Sequence, residues 1–188
     1  MPELIDFLQK NNIYYEQDIS LKEICTFKIG GNAKIVCYPD SSLQVSLLVK
    51  YCTQNQIRYL SLGRGSNVLF SDEGLETLII KTDKIDYLSL ENGFITAGAG
   101  VMLAKVSRFS VDSGFKGMEF AYGIPGSVGG ALYMNAGAYG GEMSQVVYST
   151  EYVDECGNIK TLKSAEHEFG YRKTFFTNRN CIVTSVTF

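Results

Sequence analysis

Residues 123–131 read Gly-Ile-Pro-Gly-Ser-Val-Gly-Gly-Ala, and no other stretch restricts the fold more. Pro125-Gly126 forces a turn, and Ser127 is placed to cap a helix starting just after it. The small residues Gly126, Ser127, Gly129, Gly130 and Ala131 leave a flat wall nearly free of side chains. A planar three-ring heterocycle needs such a wall. N–H groups at the helix start would face the electron-rich edge of the ring. A close-packed glycine bend without a ligand would use the same residues.

A second cluster, Gly63-Arg64-Gly65-Ser66-Asn67-Val68-Leu69, follows the short apolar stretch 57–62. Its glycines permit positive φ and let backbone N–H groups converge on an anion. A pyrophosphate fits such a nest; so does a tight turn with no ligand. Val68 stands where a Rossmann loop needs its last glycine, and no Gly-Lys-Ser/Thr of a Walker loop occurs. A third cluster, Asn135-Ala136-Gly137-Ala138-Tyr139-Gly140-Gly141, reads as a buried polar turn in which Asn135 satisfies backbone groups. In Phe169-Gly170-Tyr171-Arg172-Lys173-Thr174-Phe175-Phe176 an arginine lies between aromatics. It is either a held cation, whose guanidinium pairs with both oxygens of a carboxylate, or a surface arginine.

Around these clusters the pattern predicts a helix over the first ten residues and a linker rich in Tyr, Glu and Asp. Short strands around Gly30-Gly31 come next. A helix capped by Ser41 and Gln44 follows, with Leu43, Leu47, Leu48 and Tyr51 as its buried stripe. Strands are expected over 57–62, 75–81, 94–98 and 182–188. A helix carrying Met102, Val106 and Phe109 on one face stops at Gly114. Residues 146–154 and 158–162 read as a hairpin turning at Cys156-Gly157-Asn158. This gives an α+β chain of two lobes, residues 1–84 holding the pyrophosphate loop and residues 85–188 a mixed sheet with helices. The chain stops on an apolar strand, so we expect it to be a piece of a longer one.

The net charge of −3 provides no basic field for nucleic acid or for an anionic membrane surface. The five cysteines have wide spacings and no Cys-x-x-Cys, which suits reduced thiols in the cytoplasm. Glu3 and Asp6 interrupt the first apolar stretch, so no signal peptide is expected, and no run approaches the ~20 apolar residues of a membrane span. His167, between Glu166 and Glu168, reads as solvated, and no spacing suggests a metal site.

Together, Thr26-Phe27-Lys28-Ile29-Gly30-Gly31, Gly63 to Leu69, Gly123 to Gly141 and Tyr171-Arg172-Lys173-Thr174-Phe175 resemble the UDP-N-acetylenolpyruvoylglucosamine reductase family, in order along nearly the whole chain. The resemblance implies a two-lobed FAD-binding domain of the vanillyl-alcohol-oxidase and p-cresol-methylhydroxylase (PCMH) type, with non-covalent FAD between the lobes. It implies a cytoplasmic, monomeric flavoprotein of peptidoglycan synthesis. NADPH would be its hydride donor and a UDP-sugar enol ether its substrate.

By that resemblance the pyrophosphate lies on Gly63, Arg64, Gly65, Ser66, Asn67 and Val68. The ring lies on Gly123, Gly126, Ser127, Gly129 and Gly130, with Ile182 and Val183 in further contact. Arg172 matches the catalytic arginine that stabilises charge on the substrate carboxylate, and Tyr171 its substrate-contacting neighbour. Thr174 stands where serine is more usual. The proton donor, a serine assisted by a glutamate, belongs to a C-terminal substrate domain. Its motif, of the form GSxFKNP, does not occur in these residues, so the chain is expected to be inactive alone. A stand-alone FAD-binding module and a flavin-dependent sugar oxidase on the same fold are the competing expectations.

Overall fold

The computed structural model describes residues 2–188. Helix α1 (Pro2–Lys10) buries Leu4 and Leu8, with Glu3 in its first turn and Lys10 in its last, the charges its dipole favours. Met1, included in the expected helix, lies outside the described residues. Strand β1 (Tyr14–Ser20) follows where the sequence suggested a linker. It pairs antiparallel with β2 (Asn32–Tyr38), from Tyr14 opposite Tyr38 to Ser20 opposite Asn32. Its own residues are half-buried or exposed without clean alternation, so it is an edge strand defined by its partner. The short helix α2 (Leu21–Ile24) closes that hairpin.

Helix α3 (Ser42–Gln54) begins at Ser41, whose side chain accepts from the Gln44 N–H, while Gln44 Oε1 accepts from Asp40 N–H. It leads to β3 (Tyr59–Leu62), which runs parallel to β4 (Leu78–Lys81), and β4 runs parallel to β2. The first sheet is therefore ordered β1-β2-β4-β3. The second is antiparallel and built from β5 (Leu88–Glu91), β6 (Phe94–Gly98), β9 (Ser149–Val153), β10 (Ile159–Lys163) and β11 (Ile182–Thr187). Its order is β10-β9-β11-β6-β5. Between β6 and β9 lie helices α4 (Leu103–Asp112) and α5 (Val128–Tyr133), and a small ladder of β7 (Gly137–Ala138) with β8 (Gly141–Glu142).

Helix α3 packs on both sheets, which explains where its buried face lies. Val45, Leu48, Val49 and Cys52 join Ile35 and Ile80 of the first sheet and Val153 and Ile182 of the second. Ser46 Oγ and Thr53 Oγ1 donate to the carbonyls of Gly157 and Glu155, fixing the β9–β10 turn against the helix. The expected stripe is thus rotated: Leu48 is buried, but Leu43 is 62% exposed. A second cluster, with Val106, Leu132, Met143, Phe176 and Val186, fills the space between α4, α5 and the antiparallel sheet. A third, with Leu21, Val36, Leu62, Phe70 and Ile79, underlies the turn after β3. Strand β11 does not alternate. Ile182 to Val186 are all buried, because both faces of the strand are covered.

Candidate functional site

Strand β3 ends at Leu62 and the chain turns through Gly63–Asn67. Gly65 has φ +68, and a Cβ there would lie 2.4 Å from the Ile24 carbonyl oxygen and 2.8 Å from Cys25 Cα. Only glycine fits, because the loop is pressed against the chain following α2. Thr26 N–H donates to the Gly65 carbonyl at 2.9 Å. A trans peptide is planar and its C=O and N–H point in opposite directions, so the Ser66 N–H is aimed away from Thr26. Among the described residues, the N–H groups of Arg64, Gly65, Ser66 and Asn67 have no hydrogen-bond partner in the protein. Successive free donors on one turn make an anion nest.

The segment after Pro125 lies along residues 99–103. Leu103 N–H donates to the Gly126 carbonyl, Val128 N–H to that of Val101 and Gly129 N–H to that of Ala99. Ser127 Oγ caps α5 by accepting from Gly130 N–H at 3.4 Å. The N–H groups of Val128, Gly129 and Gly130 are therefore engaged within the protein. Sequence reasoning aimed them at a ligand, but it had no signal that the stretch doubles as a strand partner. Among the described residues the N–H groups of Gly123, Gly126 and Ser127 remain without a partner.

The glycines of this segment divide by what surrounds them. A Cβ on Gly129 would meet Ala99 Cβ at 2.9 Å, so this glycine serves close packing. A Cβ on Gly130 would meet only Ser127 Oγ, at 3.5 Å, and one on Gly123 would meet nothing within 4 Å. These two leave open, side-chain-free space.

The two clusters, some sixty residues apart, interlock. Ser66 Oγ donates to the Pro125 carbonyl at 3.2 Å. A Cβ on Gly63 would come within 2.4 Å of Ser127 Oγ, and one on Gly126, at φ +132, within 2.9 Å of Ser66 Oγ. The free donors at 64–67 therefore lie directly against the 123–130 segment, whose open, side-chain-free surface is at Gly123 and Gly130. A diphosphate joined to a flat ring suits this donor set: N–H groups for the charged oxygens and peptide surface for the ring. Val68 is half-buried against the core beneath the loop.

Arg172 and Tyr171 form the tip of a tight turn in which Gly170 and Lys173 exchange backbone hydrogen bonds. Arg172 has φ +53 and is exposed, and Tyr171 is 92% exposed. The arginine is not enclosed by Phe169, Phe175 and Phe176, which are buried or half-buried in the core behind it. The base of the turn is fixed to the end of α5: Thr174 Oγ1 donates to the Tyr133 carbonyl and Asn135 Nδ2 to that of Gly170, both at 3.1 Å. Helix α5 has six residues, about 9 Å of rise, so the turn is anchored one short helix away from the Ser127 cap. Asn135 also accepts from Ser144 N–H, and so performs the backbone-satisfying role expected of it.

Ile182 and Val183 are buried, Ile182 in the core under α3 and Val183 in that between α5 and the antiparallel sheet. Neither side chain lines the open surface. His167 is fully buried rather than solvated. Its ring pairs with Thr150 Oγ1 and the Ser164 carbonyl, each at 2.9 Å, and stacks on Phe169. Glu166 and Glu168 flank it in sequence, but the partners that bury it come from β9 and residue 169. Burial pushes the Cys52 thiol up to about 12 and raises that of Cys37 further. Among the described residues no group of three or more His, Cys, Asp or Glu could hold a metal ion. No helix among them is long and apolar enough to cross a membrane.

The model of a family described as FAD binding domain matches residues 33–163. UDP-N-acetylenolpyruvoylglucosamine reductase of Clostridium perfringens is 39% identical over 178 residues, covering 93% of this chain and 59% of that protein. The chain therefore spans about three fifths of the length of such relatives. Among solved structures, the reductase of the same name from Thermus caldophilus superposes with a TM-score of 0.76 at 29% identity, over 93% of this chain and 60% of that one. Glucooligosaccharide oxidase from Acremonium strictum, described with a 6-S-cysteinyl, 8α-N1-histidyl FAD, superposes with a TM-score of 0.73 over 97% of this chain and 41% of its own. At 14% identity that likeness speaks to the fold alone. The fold is α+β, of the type common to these reductases and flavin oxidases.

Proposed function

Because the chain belongs to the FAD binding domain family, we propose that it is the flavin-holding part of an NADPH-driven reductase that converts UDP-N-acetylglucosamine enolpyruvate to UDP-N-acetylmuramate in peptidoglycan synthesis. The observation that carries this reading is the interlock of the free N–H groups at 64–67 with the bare segment at 123–130.

On this reading residues 1–84 form the lobe that holds the diphosphate, through Gly63, Arg64, Gly65, Ser66, Asn67 and Val68. Residues 85–188 form the lobe that holds the ring, against Gly123, Gly126, Ser127 and Gly130. Gly129 supports that wall from behind and Val183 from the core it shares with Val128, while Ile182 lies in the other core, under α3. When bound, FAD supplies reversible hydride acceptance and donation. The protein's part is to hold the diphosphate with neutral backbone donors, which suits a chain of net charge −3. The Arg172 guanidinium pairs with the substrate carboxylate as negative charge grows there, a role worth several kcal/mol in a water-poor site. Tyr171 contacts the substrate beside it. The proton donor, a serine assisted by a glutamate, is assigned to the two fifths of the relatives' length that this chain does not span.

Non-covalent attachment is supported by His167, the one histidine, whose ring nitrogens are both engaged in the core. Five free thiols support a cytoplasmic location, and we read the protein as a monomer without nucleic-acid or membrane partners. The test is to load the chain with FAD, precipitate it with acid and read flavin in the supernatant, then assay NADPH oxidation with the enolpyruvyl substrate. Released flavin without turnover is expected. Flavin retained on the precipitate would turn the reading toward a covalent oxidase, and turnover at the rate of a full-length reductase would refute the assignment of the proton donor.

A further inference from the structure

Lys81 ends β4, a strand whose residues are all buried, and is itself 4% exposed. Its ammonium donates to the Gly63 carbonyl at 3.0 Å and to Asp83 Oδ2. The other Asp83 oxygen is buried without a partner among the described residues. The Asp83 side chain is 29% exposed, so this is a pair with one buried partner. Such a pair is weak grounds for stability, because desolvating the ammonium offsets the attraction, and an unsatisfied carboxylate oxygen weakens it further. The pair needs another reason to be there, and its neighbours supply one. Thr82 N–H donates to the Leu62 carbonyl, and residues 82–83 press on Gly100, beside the Ala99 that packs on Gly129. Lys81 therefore lies where the bases of both glycine clusters meet.

We propose that Lys81 is a positioning residue for diphosphate recognition, holding the Gly63 carbonyl from behind so that the Arg64 N–H is aimed at the ligand. The proposal rests on the reading of the 63–67 loop as the diphosphate site. The Gly63–Arg64 peptide is trans, so fixing its oxygen on Lys81 fixes its N–H in the opposite direction. Thr26 does the same for the next-but-one peptide by holding the Gly65 carbonyl. The loop thus has two anchors on its protein side, one ionic and one backbone, and each aims one free donor outward. Lysine suits the first anchor because a cationic donor binds a carbonyl more tightly than a neutral one. Asp83, half-buried, supplies the counter-charge at the rim of the interior.

The test compares the wild-type chain with Lys81→Met by FAD titration, thermal unfolding without ligand, and 15N–1H spectra recorded as FAD is added. A wild-type chain that binds no FAD would overturn the diphosphate reading itself, and the proposal with it. Where wild type binds, Lys81→Met is expected to lose about tenfold to a hundredfold in affinity, the equivalent of one charge-aided hydrogen bond. The Arg64 amide should lose its response to FAD, while that of Ser66, aimed by Thr26, persists. Unchanged affinity, or Arg64 and Ser66 amides that weaken together, would mean that Lys81 only props the fold. If Lys81→Met does not fold, the wild-type spectra decide: an Arg64 amide that moves on FAD addition supports the aim, and one that stays still refutes it.

Discussion

Ser66 Oγ reaches the Pro125 carbonyl at 3.2 Å, and this contact joins the turn after β3 to the turn before α5. Around it the fit is tight enough that Gly63 could not carry a Cβ without displacing Ser127 Oγ. Gly63→Ala should therefore push Ser127 off its cap on α5 and destabilise the chain by about 1–2 kcal/mol. Ser127→Ala alone removes the cap and the obstructing atom together. The double substitution should then be less destabilising than the sum of the singles, a coupling measurable by urea unfolding of all four proteins. Strict additivity would mean that the two residues do not meet.

Gly130→Val separates ligand from fold. The new side chain enters open space beside Ser127 Oγ, and valine is a slightly better helix former than glycine, so the ligand-free melting temperature should hold. FAD affinity should fall by about tenfold or more, the equivalent of at least ~1.4 kcal/mol. Gly129→Val is the contrasting case. Its Cβ strikes Ala99, so it should unfold the segment whether or not FAD is present.

Arg172 adopts φ +53 at an exposed turn tip, a conformation glycine takes more easily. In a full-length reductase carrying this sequence, Arg172→Gly should leave FAD binding intact and keep or slightly raise the melting temperature. Reduction of the enol ether should drop by roughly a hundredfold or more, as expected when an electrostatic stabiliser of the transition state is removed. Loss of FAD together with activity would make Arg172 a structural residue.

Asp154 organises the β9–β10 turn. Burial raises its carboxyl pKa, but Lys160 and the amides of Asn158 and Cys156 outweigh that and hold it at about 2. A carboxyl pKa lowered in the folded state stabilises above its unfolded value of about 4, by about 2 kcal/mol here, and that stability is lost as pH falls through about 2. Wild type should exceed Asp154→Asn in stability at pH 6, and the gap should close between about pH 4 and pH 2. A gap constant over that range would show that the carboxylate charge plays no part.

Much of the fold, and the clusters that make up the candidate site, were legible because their signals are local. Ser41 and Gln44 announce the start of α3, Cys156-Gly157-Asn158 the β9–β10 turn, and the glycines of 63–67 and 123–131 need no partner to be noticed. What stayed hidden was set by distant residues. Strand β1 has no alternation of its own and exists because β2 pairs with it. His167 sits among glutamates in sequence, yet Thr150 and Phe169 bury it. Helix α3 turned a different face inward because it packs on both sheets. The N–H groups of Val128 and Gly129 looked free until residues 99–101 came alongside them. Lys81 reads as the polar end of a strand, and nothing nearby in sequence ties it to Gly63.

The central claim is that the 63–67 donors and the 123–130 surface together form one seat for FAD. Titrating FAD into the purified chain, with flavin fluorescence and visible absorbance recorded, tests it most directly. The account predicts saturable one-to-one binding with a perturbed flavin spectrum in the wild type, weakened by about tenfold or more in Gly130→Val while that variant stays folded. A wild-type chain that leaves the spectrum of free FAD unchanged at concentrations approaching ~1 mM, where binding is worth only about 4 kcal/mol, would contradict it.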